Sequence, residues 1–147
     1  MALTNYLALE DLIVTALTAA EIPGLATIRG VRELPEPPDL ARWALPAVLV
    51  VYRGDNVPTD RDSFGEDRQV VDQEWMLVLC LKNVADLKGG SGQRADAGVL
   101  LLAVNGAIAG QQLAPEFGHL QRVNGPANLF GDQFALFPLV YRSRLVT

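Results

Sequence analysis

The chain has 147 residues, of which 50% are hydrophobic and 20% are charged, and its formal net charge at pH 7 is −5. This length suits one compact domain. An acidic surface argues against a protein that grips DNA or an anionic membrane, although it is compatible with one past which DNA slides. Cys80 is the only cysteine, so we expect neither an intrachain disulfide nor a cysteine-based metal cluster.

The first predicted element is an amphipathic helix over residues 5–20. Its apolar residues recur every three or four positions and therefore form one stripe. They are Leu9, Leu12, Ile13, Ala16, Leu17 and Ala20. Pro23 and Gly24 end the helix, and a loose alternation of apolar residues predicts a modest strand over residues 25–34.

Two strong strands are predicted in the middle of the chain. Residues 47–52 are apolar on both faces, which indicates a strand in the interior of a sheet. Residues 69–83 place Trp75 and alternate apolar residues on one face, whereas the other face is charged at both ends and apolar between them. We expect this central strand to be covered by a helix on one side and partly covered, by another subunit, on the other.

The second half of the chain predicts a helix and two further strands. The helix runs over residues 94–109, and we expect Gly98 and Gly106 to mark places where its backbone lies close to the sheet or to a neighbouring molecule. Strands follow at residues 117–123 and 134–146. Pro138 lacks a backbone donor, so the last strand is predicted to be at an edge of the sheet or bulged at that point.

These elements predict an α+β fold in a single domain over residues 1–147. The order is α-β-β-β-α-β-β, with a mostly antiparallel sheet and two helices packed on one face. Mobile loops are expected at about residues 54–68 and 84–93. No stretch approaches the roughly 18 apolar residues of a membrane-spanning helix.

The sequence offers little support for catalysis or for a bound cofactor or metal. His119 is the only histidine, and nothing in the sequence identifies the orienting carboxylate and nucleophile that a catalytic histidine needs. Residues 90–95 match G-x-G-x-x-A, but they do not follow directly on a strand within a βαβ unit. The carboxylates of residues 55–67 do not have the spacing of a calcium-binding loop. A small enzyme or a nucleotide-binding domain is therefore only an alternative.

We instead expect the functional residues to lie on surfaces that contact other molecules. Acidic residues of the first loop are candidates for a pore or partner face, where they would repel a DNA backbone. Lys88 and Arg94 flank the second loop, and Arg142 and Arg144 are candidates for pairing with acids of a neighbouring subunit. The acidic candidates are Asp55, Asp60, Asp62, Glu66 and Asp67.

Several stretches resemble the tail terminator, or tail completion, proteins of long-tailed phages, most closely the group in Mu-like phages and prophages. The resemblance starts with the N-terminal helix, P-A-V-L-V-V-Y at residues 46–52 and the acidic loop. It continues with the Trp75 strand, A-G-V-L-L-L-A-V at residues 97–104 and F-P-L-V-Y at residues 137–141. It covers nearly the whole chain through hydrophobic patterns, without polar signature residues.

The resemblance implies a structural virion protein, not an enzyme, without catalytic, cofactor-binding or metal-binding residues. It implies a homohexameric ring at the head-proximal end of the tail tube, which stops tube polymerisation and provides the surface that joins tail to head. The implied partners are further copies of the chain, the tail tube protein, and sheath and head–tail connector proteins, with DNA passing through unbound. The implied location is the virion tail or neck, after assembly in the host cytoplasm. Another head–tail adaptor ring is the alternative.

Overall fold

The computed structural model describes residues 4–34, 42–58, 70–82, 91–130 and 134–146. Within these residues the chain forms two helices and six strands. The elements are α1 (Leu9–Ala19), β1 (Thr27–Gly30), β2 (Ala47–Asn56), β3 (Val70–Lys82), α2 (Ser91–Ile108), β4 (Gln121–Val123), β5 (Leu129–Phe130) and β6 (Phe134–Val146).

One mixed sheet contains all the described strands, in the order β1-β2-β3-β6-β4, with β5 also paired to β6. Only β1 and β2 run parallel; the other described pairs are antiparallel. The predicted α+β class, the element order and the mostly antiparallel sheet are confirmed. The short β5 is an addition that the sequence did not reveal.

β3 and β6 form the centre of the sheet. They pair along their whole lengths, from Val70 opposite Val146 to Lys82 opposite Phe134. The prediction that Pro138 places β6 at an edge or in a bulge is wrong, because β6 is interior and its register with β3 is continuous. The missing donor is tolerated because β5 pairs only at residues 135–136 of β6 and β4 only at 140–142, so Pro138 lies between the two pairings.

Both helices pack on one face of the sheet, as predicted. The apolar stripe of α1 and the buried side of α2 cover a fully buried Trp75 and its neighbours on β2, β3 and β6. Burying each large side chain of this core stabilises the fold by about 1.5–3 kcal/mol. The opposite face has a smaller buried cluster, in which Leu49 and Val78 are central and residues 31–34 and 43–45 supply partial cover. Residues of the same chain therefore cover part of the face of β3 that we expected another subunit to cover.

The helix boundaries differ from those predicted. α1 begins at Leu9, after a turn in which the Asn5 side chain accepts a hydrogen bond from the Leu7 backbone (2.9 Å). α2 begins at Ser91, within the stretch predicted as a loop. Gly110 follows α2 with φ +78°, the left-handed conformation that glycine adopts readily at a helix C-terminus.

Candidate functional site

Three of the predicted site residues, Asp55, Arg142 and Arg144, lie in the described part of the chain with their side chains. Arg94 lies near the start of α2, and its side chain is outside the described residues. The remaining candidates also fall outside them, so their roles stay predictions. These are Asp60, Asp62, Glu66, Asp67 and Lys88.

Arg144 forms a two-pronged ion pair with Asp72 across the β3–β6 ladder. The two residues are opposite each other in the register, and the Arg144 Nε and Nη2 atoms donate to the two Asp72 carboxylate oxygens at 2.9 and 3.1 Å. The planar fork of a guanidinium matches a carboxylate in this geometry. Asp72 is nearly buried, whereas about half of the Arg144 side chain is exposed. Arg144 therefore has an intrachain partner, and its pairing with another subunit stays a prediction.

Arg142 lies on the same outer face and shares Glu74 with Arg53. The closest nitrogen–oxygen distances to the Glu74 carboxylate are 3.5 Å from Arg142 and 3.4 Å from Arg53. Long, exposed ion pairs of this kind contribute little to stability. Together with Asp72 and Arg144 they form a charged row on the outer face, which carries three guanidinium groups and two carboxylates. The row is available to a partner but is not a basic patch of the kind that binds nucleic acid.

Asp55 contacts the segment that leads into α1. It accepts a hydrogen bond from the Tyr6 hydroxyl. Burial first, and then the hydrogen bond and charge of Asp55, raise the pKa of Tyr6; burial and the Asp55 charge also raise the pKa of Tyr52. The prediction that Asp55 lies in a loop is wrong, because β2 extends to Asn56 and places Asp55 opposite Gln73.

Gln73 is a buried polar residue that ties the same segment to the sheet. Its side-chain nitrogen donates to the Tyr6 carbonyl at 2.9 Å, and its oxygen accepts from the Trp75 indole at 3.1 Å. Both ends of the amide are therefore satisfied, which makes its burial tolerable. This cluster is a structural anchor for the start of the chain.

His119 lies in an exposed position just before β4. Its Nδ1 is 2.9 Å from the Gly110 carbonyl oxygen, which only accepts hydrogen bonds, so Nδ1 carries the proton and donates. This ring nitrogen is directed at backbone and not at an orienting carboxylate. Among the described residues no group of three or more histidine, cysteine or acidic side chains could hold a metal ion. No described helix is long and apolar enough to cross a membrane.

The outward side of α2 is the most unusual surface of the described chain. Val99 and Leu102 are 67% and 74% exposed, and they are adjacent on the helix because they are three positions apart. Gly98 and Gly106 lie beside them, and a Cβ atom at either glycine would have no heavy atom within 4 Å. The predicted approach of these glycines to the sheet is therefore wrong, and their approach to a neighbouring molecule stays a prediction. We call these four residues the α2 face.

An open groove of about 420 Å³ runs beside the α2 face. Leu101, Leu102 and Asn105 line it from the helix, and Pro138 and Arg122 line it from β6 and β4. Among the described side chains that line this groove there is one cation, Arg122, and no carboxylate. The α2 face is thus bordered by a depression with a positive rim.

A second group of exposed apolar side chains lies where the segment before α1 meets the end of β2. Tyr6, Leu7 and Val57 are each between 38% and 39% exposed. The hydrogen bond between Tyr6 and Asp55 holds the start of the chain against the end of β2, close to Val57. We call these three residues the α1 entry patch, and Asp55 gives it a negative rim.

Sequence reasoning singled out Gly98 and Gly106 of the α2 face but missed the exposed Val99 and Leu102, although a signal was present. No charged residue occurs between Ala97 and Gly110, whereas a helix on the surface of a soluble protein normally carries charged or polar residues on its outer side. The intrachain ion pairs also had a signal. Asp72 and Glu74 alternate on β3 as Arg142 and Arg144 do on β6, which is the pattern of two antiparallel cross-strand pairs.

Comparisons with known proteins agree with this fold. A family model described as "Phage tail terminator protein" matches residues 3–147. Among solved structures, a chain from "Virion of native gene transfer agent (GTA) particle" is similar, with a TM-score of 0.58 and 15% sequence identity. That alignment covers 99% of this chain and 100% of the other, and at this identity it shows a shared fold. No curated protein sequence matches the chain.

The family match spans almost the entire chain, and the expectation of a structural virion protein, not an enzyme, is confirmed by it. The chain belongs to the phage tail terminator protein family and is a structural component of the virion tail.

Proposed function

We propose that this chain forms a ring at the head-proximal end of a phage tail tube, where it ends tube polymerisation and provides the surface for joining the head. The observation that carries the proposal is the family match over residues 3–147. Its most direct physical support is the pair of exposed apolar patches, because an assembly subunit needs surfaces that are buried only after association.

The proposed partners are further copies of this chain, six in a closed ring, together with the tail tube protein. The sheath protein of a contractile tail and head–tail connector proteins are further candidates at the outer surfaces. DNA passes through the ring without specific binding, which the net charge of −5 favours, because like charges reduce adhesion to the phosphate backbone. The Mu-like group is the relative that we expect to be most similar.

The test is assembly with the tail tube subunit of the same virion. Purified tube subunits are polymerised with and without the chain, and tube lengths are measured by electron microscopy. We expect the chain to shorten the tubes and to form a ring density at one tube end. Tubes of unchanged length without such a density would contradict the proposal.

The same images distinguish a terminator from another adaptor ring of the neck. A terminator binds the tube end directly, without a head-side protein. A ring that joins tubes only after a separate connector has been added would instead be an adaptor. A label attached to the chain shows in either case where along the tail and neck the ring is located.

A further inference from the structure

We propose that the α2 face is the surface by which one copy of this chain binds the α1 entry patch of the next copy. The inference rests on the proposed ring, to which it adds the two surfaces that meet. In the described part of the chain, Leu102 and Val99 are the two most exposed large hydrophobic residues. Leaving such residues in water forgoes the stabilisation that their burial would provide.

The chemistry of the α2 face favours a protein partner. Gly98 and Gly106 have no side chains that project from the helix beside Val99 and Leu102, so another chain can approach the helix backbone closely. The face carries no charge of its own, which is typical of the core of a protein–protein interface. A nucleic acid or an anionic membrane would require a basic patch, and the α2 face does not provide one.

The α1 entry patch has the properties required of the complementary surface. It is also apolar, through Tyr6, Leu7 and Val57, and its rim carries the Asp55 carboxylate. The groove beside the α2 face carries the Arg122 guanidinium. Contact between the two patches would therefore join apolar surface to apolar surface and place a carboxylate near a guanidinium.

The positions of the two patches suit a ring. The α1 entry patch lies by β2, whereas the α2 face lies by β6 and β4, on the other half of the sheet. A contact between two different surfaces of a subunit is head-to-tail, and repeated head-to-tail contacts close into a ring when the rotation allows it. A patch that met its own copy would stop at a dimer.

The first experiment compares Leu102→Asp with the matched control Thr15→Asp. Both replace an exposed helix residue by aspartate, but Thr15 lies on the outer side of α1. The mass of the assembly is measured by light scattering, alone and with the tail tube subunit, and folding is checked by circular dichroism. We expect Leu102→Asp to weaken ring formation at least about tenfold, since burial of one leucine accounts for a factor of this size. Thr15→Asp should assemble as wild type does.

A second experiment identifies the contact itself. Leu7→Cys and Leu102→Cys proteins are mixed under mild oxidation, and the products are separated without reductant. Disulfide formation between the two variants, with neither variant linking to itself, is the expected result. Dimers of Leu102→Cys alone would overturn the head-to-tail contact.

Failure of the inference is distinguishable from failure of the proposed function. If Leu102→Asp forms rings and caps tubes as wild type does, the α2 face is not the subunit contact, while the terminator function stands. If the wild-type chain stays monomeric but binds tube subunits through Leu102, the partner is the tube, and the inference is wrong. If the wild-type chain neither forms rings nor binds tubes, the proposed function fails and the inference fails with it.

Discussion

The two helices share one face of the sheet and one buried core, but their outer sides differ. α1 exposes Asp11, Thr15 and Thr18, the polar outer side of an ordinary surface helix. α2 exposes Val99 and Leu102, with glycines beside them. Because the inner sides of both helices pack in the same core, the difference in polarity between their outer sides indicates that the two outer sides contact different surroundings. The outer side of α1 is suited to solvent, whereas the outer side of α2 is suited to contact with another protein.

The largest effect on stability is expected from substitutions on the buried, inner sides of the two helices. There we predict similar losses of stability for α1 and α2. Ile13 of α1 and Ile108 of α2 are both fully buried, so Ile13→Ala and Ile108→Ala should each lower the free energy of unfolding by about 2–5 kcal/mol. Leu102→Ala is the control, with an expected change of about 0.5 kcal/mol or less in the monomer. Urea unfolding at concentrations that keep the chain monomeric measures all three. A small loss for Ile108→Ala would mean that α2 is not part of the core.

The next largest effect concerns the bond that ties α2 to the sheet. The buried Tyr141 hydroxyl donates to the Asn105 side-chain oxygen at 2.7 Å, and burial raises the pKa of Tyr141 to about 12. The unfolded value is about 10, so the fold favours the neutral phenol. The stability that Tyr141 contributes is therefore complete below pH 10 and is lost as the pH rises through 12.

Tyr141→Phe tests this dependence. At pH 8 we expect the wild type to be more stable than the variant by about 1 kcal/mol, the net contribution of one hydrogen bond. At pH 11.5 that advantage should disappear or reverse. Cys80 and Tyr52 also have raised pKa values, but both proteins contain them, so their contribution cancels in the difference. An advantage that is the same at both pH values would contradict the assignment.

A smaller effect, of opposite sign, is expected at the glycines of the α2 face. Gly98→Ala should stabilise the isolated chain by about 0.5–1 kcal/mol, because alanine is the better helix former and its Cβ meets no other atom. Thermal unfolding of the monomer provides the measurement. If the face is an interface, the same substitution should weaken assembly by filling space that the partner needs. Destabilisation of the monomer would show that the glycine is already covered within the chain.

The smallest effect is expected away from both helices, in the charged row on the outer face of the sheet. Asp72→Asn removes the charge that pairs with Arg144, which is about half exposed. We expect a loss of about 0.5 kcal/mol at low salt and less at high salt, because solvent and ions screen the pair. Unfolding in 0.05 and 0.5 M salt, about a threefold change in Debye length, gives the comparison. A loss that is large and independent of salt would indicate a buried, structural ion pair instead.

The sequence was sufficient for the central part of the fold because periodicity depends on local geometry. Alternation around Trp75 predicted β3, and the stripe around Ile13 predicted α1, since each pattern matches one backbone repeat. Pro138 was misread because its cost depends on which strand pairs beside it, and the short strands β4 and β5 pair with β6 on either side of Pro138 and leave its position unpaired along that edge. The exposed Val99 and Leu102 of the α2 face were missed for a related reason. An apolar residue in a helix does not show whether it faces the core of its own chain or a partner.

The central claim, that the α2 face is covered in the assembled tail, is tested most directly by thiol labelling. Leu102→Cys and Thr15→Cys are labelled with a maleimide in the free chain and in assembled particles; the buried Cys80, whose pKa burial raises to about 12, gives little background. We predict that assembly slows the labelling of Leu102→Cys at least about tenfold, the local opening cost of a packed interface, and leaves Thr15→Cys unchanged. Equal labelling of Leu102→Cys in free and assembled chains would contradict the account.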